Sequence, residues 1–332
     1  MSDTPPERPA SDVWPNHAKA WHEWRAALAG QRMHHGWIVA GKSGLGKRDF
    51  ASAAARELVD GGTEGAGMAE HPDIIVLTYG PKDKKAEKAA ADGKPFERAR
   101  SIRVDQVRAM QRRLTTRPTL GDRRVVIVDP ADDMETSASN ALLKSLEEPP
   151  AGTYFILVAH RPARLLPTIR SRCRMLRIPI LTDRQIDAML ASADATASDE
   201  AREAAVRAAE GSFGAARRFL EQDLAPVSGL VRNLVARGDR DLKLRGEFAR
   251  LVGPRADRNR VTAVIELAQG IVAQSARHAA DNAQRARLAD VHADLVALAR
   301  DMPTYNFDTG LLVLEIGTLL TRAAPASEPA HV

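Results

Sequence analysis

A glycine-rich segment near residue 45 has the residue types that bind phosphate. It reads Gly41-Lys42-Ser43-Gly44-Leu45-Gly46-Lys47-Arg48, between an apolar run and a helical pattern. In a phosphate loop with this spacing, backbone N–H groups and a helix N-terminus face phosphate oxygens. The segment therefore predicts a nucleotide site formed by Gly41, Gly44, Gly46 and Lys47, with Lys47 reaching the β- and γ-phosphates. The alternative is an ordinary glycine-rich turn.

The residue after the lysine argues against catalysis at this loop. A Ser or Thr hydroxyl normally binds Mg²⁺ there, but the residue is Arg48, and a guanidinium has no lone pair for a metal. Asp129 ends the apolar run 125–128, as a metal-binding acid should, but Pro130 stands where a second carboxylate would position water. We expect weak or absent ATP binding, no bound metal and no hydrolysis. Whether Lys47 and Asp129 still allow weak nucleotide binding, or Arg48 takes the cation's place, stays open.

Three polar residues near this site have simpler interpretations. Asp132 and Asp133 could substitute for the missing carboxylate, but capping the next helix is the simpler role. His160 follows the apolar run 155–158, where a polar residue often senses the γ-phosphate. We interpret it as a hydrogen-bonded structural histidine.

Alternating arginines in the segment 165–174 form a second candidate site. Arg170, Arg172 and Arg174 alternate with other residues, and Arg172 is the central residue of a Ser-Arg-Cys triplet that ends at Cys173. A solvated basic edge is one interpretation. The other is an arginine that protrudes and completes a neighbour's nucleotide site.

Short apolar runs provide the elements that would position these residues. They are continuous rather than alternating, as in strands buried on both faces of a parallel sheet. The runs are 37–40, 74–77, 125–128 and 155–158. A fifth candidate strand is 175–178, which includes Arg177 and ends at Pro179. Helical patterns lie between them, including 105–114 and 137–146, so the first half is predicted to be a doubly wound α/β domain.

Beyond residue 180 only helical patterns remain, and they predict all-α structure. We divide the chain into an α/β domain (1–179), a small helical domain (180–224), a larger helical domain (225–324) and a tail (325–332). Residues 1–12 also have the composition of a tail. The segment 81–100 is rich in Lys, Ala, Asp and Glu without apolar periodicity, and is predicted to be a mobile surface insertion.

Composition excludes several classes of protein. The 332 residues are 44% hydrophobic and 27% charged, with no apolar run of membrane-spanning length and no signal-peptide pattern. The single cysteine cannot form an internal disulfide or a cysteine-rich zinc site. We expect a cytoplasmic protein without membrane contact. A net charge of +5 is compatible with nucleic acid but does not identify it.

Several motifs together resemble bacterial clamp-loader subunits of the AAA+ family. They are 71–73 (His-Pro-Asp), 104–108, 138–150 (which contains Leu-Leu-Lys-Ser-Leu-Glu-Glu-Pro-Pro), 155–160 and 171–173 (Ser-Arg-Cys). The resemblance covers Trp14 to Arg177 by motif and the helical remainder by layout. The delta-prime type of DNA polymerase III subunit is the best match.

The resemblance implies an AAA+ P-loop domain, a helical lid and a helical collar that builds a five-subunit ring. It also implies that Arg172 is an arginine finger acting on a neighbour's site, with gamma/tau and delta subunits, the sliding clamp and primer-template DNA as partners. Many relatives bind zinc through four cysteines, which this chain lacks. The lid arginine of motor subunits corresponds to Gly214, and Arg217 and Arg218 lie beyond it. Together with the losses at Arg48 and Pro130, the missing lid arginine favours delta-prime over the motor gamma/tau type.

Two other interpretations remain open. One is an active AAA+ ATPase, either a gamma/tau-like clamp-loader motor or a DNA-repair relative. The other is a nucleotide- or DNA-binding scaffold unrelated to replication.

Overall fold

Two compact units make up the chain, Met1–Leu181 and Thr182–Val332. The computed structural model describes residues 14–30, 33–60, 71–193, 197–253, 256–302 and 308–325. The predicted tail 1–12, and all of the tail 325–332 except Pro325, lie outside these residues.

A parallel five-stranded sheet forms the centre of the first unit. Its strands are β1 (Gly36–Ala40), β2 (Ile74–Leu77), β3 (Arg124–Val128), β4 (Thr153–Ala159) and β5 (Arg174–Arg177). They lie in the order β2-β3-β4-β1-β5. Every residue of β1 and β3 is buried, because helices cover both faces of such a sheet. Each strand overlaps a run predicted from the sequence.

One helix of this unit precedes β1, and the others lie between successive strands. They are α1 (Ala18–Leu28), α2 (Lys47–Val59), α3 (Lys84–Ala91), α4 (Val104–Leu114), α5 (Thr136–Glu147) and the single turn α6 (Pro167–Arg170). Apolar side chains of β1 to β4, α4 and α5 form a continuous buried cluster that includes Ile38, Val126 and Leu142. The predicted α/β fold class is confirmed.

The segment 81–100 differs from its prediction as an unstructured insertion. It contains α3, and the Asp83 side chain accepts a hydrogen bond from the Ala86 N–H at 2.9 Å. Pro81 and Arg98 form an antiparallel bridge across the base of the segment. An N-cap aspartate followed by Lys, Ala and Glu is a helix-start pattern. The short helix therefore needs little apolar periodicity to form.

The second unit is helical in all its described elements. They are α7 (Asp183–Ala193), α8 (Asp199–Ala209), α9 (Phe213–Glu221), α10 (Ala225–Arg237), α11 (Lys243–Val252), α12 (Arg258–Arg277), α13 (Asn282–Asp301) and α14 (Thr309–Arg322). This confirms the predicted all-α half. Its division into a lid (180–224) and a collar (225–324) stays a prediction. None of the described helices is both long and apolar enough to span a membrane.

Candidate functional site

The carboxyl edge of the sheet brings the predicted nucleotide-site residues together. The phosphate loop follows β1, Asp129 follows β3 and His160 follows β4. Since these strands are parallel neighbours, their carboxyl ends meet at one edge, where open α/β sheets bind ligands.

Left-handed glycines shape the phosphate loop. Gly44 has a φ of 78° and Gly46 a φ of 70°, a region that favours glycine. At Gly46 a side chain is also excluded by packing, because a Cβ there would overlap the Trp14 ring. A Cβ at Gly41 would lie 2.6 Å from the Ile178 carbonyl oxygen. The loop therefore has the backbone of a phosphate loop, packed closely by the chain's own residues.

Trp14 and His17 support this loop in a way that the sequence did not reveal. The Trp14 indole N–H donates to the Asp49 carboxylate at 2.9 Å. The His17 ring Nε2 lies 2.7 Å from the Leu45 carbonyl oxygen, and the two rings stack with centroids 5.5 Å apart. The feature of the sequence that could have indicated this support is the aromatic series Trp14, His17, Trp21 and Trp24. Residues ahead of β1 thus buttress the loop and the first turn of α2.

Lys47 is buried inside the loop. Its side-chain ammonium donates to the Lys42 carbonyl oxygen at 2.6 Å, and the residue is only 3% exposed. Burial lowers the pKa of Lys47 to about 8, although Asp129 and Asp132 oppose the shift. The ammonium is therefore bound by the loop itself and carries a charge that is costly to bury.

Arg48 forms an ion pair with the acid expected to bind a metal. Its Nη1 lies 3.3 Å from Asp129 Oδ2. The Asp129 side chain is 12% exposed and that of Arg48 55%. Burial raises the pKa of Asp129, and Arg48, His160 and Lys47 oppose the rise. The loop and Lys47 fit a phosphate group, but a guanidinium beside the only acid of the predicted metal set does not fit Mg²⁺.

The neighbouring acids have other partners than predicted. Asp132 accepts hydrogen bonds from the His160 N–H at 2.9 Å and the Arg161 N–H at 2.8 Å. Asp133 accepts from the Tyr79 hydroxyl at 2.5 Å and lies 3.6 Å from Arg164. Neither caps α5, so that prediction is wrong. Both carboxylates instead join loops at this edge of the sheet.

The His160 ring lies beside the loop with one nitrogen unpaired. Among the described residues, its buried Nδ1 has no hydrogen-bond partner. Burial lowers the pKa of His160, and the nearby Lys47 lowers it further. The residue is held through its backbone N–H, which donates to Asp132.

Arg172 lies in an ion pair within its own chain. Its Nη2 is 2.8 Å from Glu147 Oε1, and its side chain is 37% exposed. Arg174 lies over the Trp37 ring at 5.2 Å, whereas Arg170 is exposed. The sequence did not identify Glu147 as a partner, although it belongs to the Leu-Glu-Glu-Pro-Pro motif.

Arg172 and the phosphate loop lie at opposite ends of β1. A Cβ on Gly36, the first residue of β1, would lie 3.1 Å from the Arg172 carbonyl oxygen. Gly41 follows the last residue of the same strand. At about 3.3 Å per residue, the five-residue strand separates the two by roughly 16 Å. The structure therefore does not bring Arg172 to the site of its own chain.

The His-Pro-Asp motif has a structural role. Asp73 accepts hydrogen bonds from the Thr119 N–H at 2.7 Å and the Leu120 N–H at 2.8 Å, and lies 3.2 Å from Arg124 Nη2. Burial opposes ionisation, but these bonds hold the pKa of Asp73 below its ordinary value. Arg124 also donates to the Arg113 carbonyl oxygen at 2.7 Å. This buried pair joins the start of β2 to the loop before β3.

The arginines near the predicted lid position pair with acids of their own unit. Arg218 lies 2.7 Å from Glu266, and Arg217 lies 3.0 Å from Glu221. Gly214 lies in the first turn of α9 and has no side chain to contact a nucleotide.

Comparisons with known proteins agree with these motifs. Residues 16–182 match the family model for DNA polymerase III, delta subunit. The DNA polymerase III subunit delta' of Pseudomonas aeruginosa is 35% identical over 183 residues, 51% of this chain and 50% of that protein. The subunit delta' of Escherichia coli K12 is 32% identical over 212 residues, 61% of this chain and 62% of that protein.

More distant matches include a gamma/tau subunit and a solved structure. The gamma/tau subunit of Mycobacterium bovis is 34% identical over 169 residues, 50% of this chain and 28% of that protein. A gamma subunit-related protein of Thermotoga maritima superposes with a TM-score of 0.48 at 16% identity, covering 91% of this chain and 98% of that one. The matched region thus spans between half and about three fifths of the two delta' relatives.

Proposed function

Because the chain belongs to the DNA polymerase III delta subunit family, we propose that it is a clamp-loader subunit that does not hydrolyse ATP itself. It supplies Arg172 to the nucleotide site of a neighbouring motor subunit. Its partners on this proposal are gamma/tau and delta subunits. Together they open the sliding clamp and place it on primed DNA in the cytoplasm.

The observation that carries the proposal is the ion pair between Arg48 and Asp129. In related nucleotide hydrolases a divalent metal neutralises charge on the phosphates, and a hydroxyl and an acid hold it. Here the hydroxyl is replaced by a cation that lies 3.3 Å from the acid. A chain whose metal acid is already neutralised is suited to holding a ring together rather than to hydrolysis.

The position of Arg172 supports its action on another subunit. It lies at the amino edge of the sheet, away from its own phosphate loop, and a third of its side chain is exposed. An arginine finger acting in trans must be accessible and offsets charge on the transferring γ-phosphoryl group. Arg174 is also exposed, but its guanidinium lies over the Trp37 ring. The Arg172 guanidinium instead makes polar contacts to Glu147 and Thr168, so we favour Arg172 as the finger.

The test uses a complex reconstituted with gamma/tau and delta subunits. All motor sites except the one this chain faces are inactivated by substitution of their phosphate-loop lysines. We expect Arg172→Ala to lower DNA-dependent ATPase activity at that site by roughly 10³-fold or more. The matched control is Arg170→Ala, two residues away and exposed, which should retain activity. Equal rates for the two variants would refute the finger role.

The isolated chain provides a second measurement. We expect no magnesium-dependent ATP turnover from it. Turnover that Lys47→Ala abolishes would instead establish a motor of the gamma/tau type. Failure to associate with gamma/tau and delta subunits at low salt would favour a scaffold unrelated to replication.

A further inference from the structure

We propose that Glu147 is a positioning residue that holds the Arg172 guanidinium within its own chain and restrains its delivery to the neighbouring site. This inference rests on the proposed function, since it concerns when the finger is available. It joins the two most specific sequence motifs of the chain, Leu-Glu-Glu-Pro-Pro and Ser-Arg-Cys, through one contact.

The terminal nitrogens of Arg172 are both engaged. Nη2 lies 2.8 Å from Glu147 Oε1, and Nη1 donates to the Thr168 carbonyl oxygen at 3.0 Å. A guanidinium binds a phosphate best through two parallel N–H donors. Glu147 therefore competes with the phosphate for the same donors and compensates the charge that a finger must deliver.

The contact is weak enough to open. The Glu147 side chain is 47% exposed and that of Arg172 37%, and an ion pair this exposed shifts an equilibrium by no more than about fivefold. A γ-phosphoryl group carries more negative charge than one carboxylate. A neighbouring nucleotide site can therefore displace Glu147 when it closes on Arg172.

The position of Glu147 is not explained by the stability of its helix. It is the last residue of α5, where the partial negative charge of the helix C-terminus disfavours an acid. Pro149 and Pro150 follow and prevent the helix from continuing. The carboxylate is thus fixed at the end of a helix, facing Arg172.

The first test measures ATPase activity of the reconstituted complex without primed DNA. Glu147→Gln keeps the shape of the side chain and removes its charge, and we expect a two- to fivefold higher rate. Glu148→Gln is the matched control, since Glu148 is exposed in the same motif. It should leave the rate unchanged.

A double mutant separates positioning from structural support. In an Arg172→Ala background, Glu147→Gln should have no further effect, because the restraint acts only through the guanidinium. An effect of equal size in both backgrounds would overturn the proposal. An unchanged or lower ATPase rate for Glu147→Gln alone would also overturn the proposal. The finger role of Arg172 would remain supported in that case if Arg172→Ala still abolished turnover.

A measurement on the isolated chain does not depend on the finger role. Modification by phenylglyoxal, followed by mass spectrometry, reports how available each arginine is. Glu147→Gln should raise the modification rate of Arg172 two- to fivefold while that of Arg170 stays constant. An unchanged ratio would overturn the proposal. If the ratio rises but Arg172→Ala leaves ATPase activity unaltered, the contact is real, and the proposed function and the restraint on it are both refuted.

Discussion

Arg48 stands at the position where a phosphate loop normally has a metal-binding serine or threonine. It places a permanent positive charge there. A serine or threonine at this position offers an oxygen to Mg²⁺, whereas the arginine binds the Asp129 carboxylate directly. The ion pair neutralises a partly buried acid, which would otherwise be costly. An arginine at this position thus compensates the charge of Asp129 and offers no ligand to a metal.

We predict that Arg48→Thr increases magnesium-dependent ATP binding without creating turnover. The change supplies the hydroxyl and releases Asp129, but Pro130 still stands where a second carboxylate is needed. An affinity gain of about tenfold, or about 1.4 kcal/mol, should be measurable by calorimetry with and without Mg²⁺. The control is Arg56→Thr on the exposed side of the same helix. Equal affinities for the two variants would contradict the prediction.

Lys47 predicts a specific pH dependence of stability. Its pKa falls from 10.5 to about 8 on folding because the ammonium is buried. Between these values the unfolded chain holds a proton that the folded chain has lost, so stability rises with pH. The Lys47→Met variant has an uncharged side chain at this position and should not show this increase in stability with pH. Relative to that variant, the wild type should gain about 2 kcal/mol of unfolding free energy from pH 7 to pH 10, measured by urea titration. A constant difference would contradict the assignment.

At the scale of elements, the buried pair of Asp73 and Arg124 fixes how β2, β3 and the preceding loop meet. Both side chains are almost fully buried, at 0% and 6% exposure. Removing one partner leaves an uncompensated charge in the interior. The resulting loss of unfolding free energy depends on this pair and not on any ligand. Its measurement therefore tests how the strands and the loop are held together.

We predict that Asp73→Asn lowers the free energy of unfolding by about 3 kcal/mol. Asp122→Asn is the control, because that carboxylate is 93% exposed and should matter by less than about 0.5 kcal/mol. Chemical denaturation of both variants measures the difference. A small effect of Asp73→Asn would mean that the loop is held by other contacts.

The strands were predictable because their signal is local. Short apolar runs located all five strands to within two residues at each end. The signal is clearest for β1 and β3, which are buried along their whole length. The helix at 84–91 was missed because it has no apolar stripe. The partners of Asp132 could not be predicted either, since its bonds to the His160 and Arg161 N–H groups depend on tertiary packing.

The candidate site was predictable only in part, because some of its contacts join residues that are far apart in the sequence. Lys47, Arg48 and Asp129 followed from motif spacing, and the sheet brings them together. Glu147 and Trp14 are distant in sequence from the groups they contact. No pattern in a single chain joins residues 147 and 172, so their contact emerges only when α5 and the segment before β5 are folded.

At the scale of the whole molecule, the first unit has its own core. The apolar cluster from Ile38 to Ile169 lies entirely within residues 1–181. A unit with its own core can fold alone. We therefore predict that a fragment of residues 1–181 unfolds in one cooperative transition, followed by circular dichroism in urea.

A shorter fragment provides the control for this prediction. Residues 1–150 lack β4, which lies between β3 and β1 in the sheet, and should show no cooperative transition. A gradual transition for residues 1–181 as well would mean that the first unit depends on the second.

The separation of Arg172 from the phosphate loop along β1 gives the subunit a polarity. A chain that donates from one edge and receives at the other can join others only head to tail, through unlike surfaces. Under the proposed function, the donating surface of this chain completes a working site and its receiving surface does not. On that proposal the interface at its own phosphate loop stays inactive, so the chain stands at one end of the series of active interfaces.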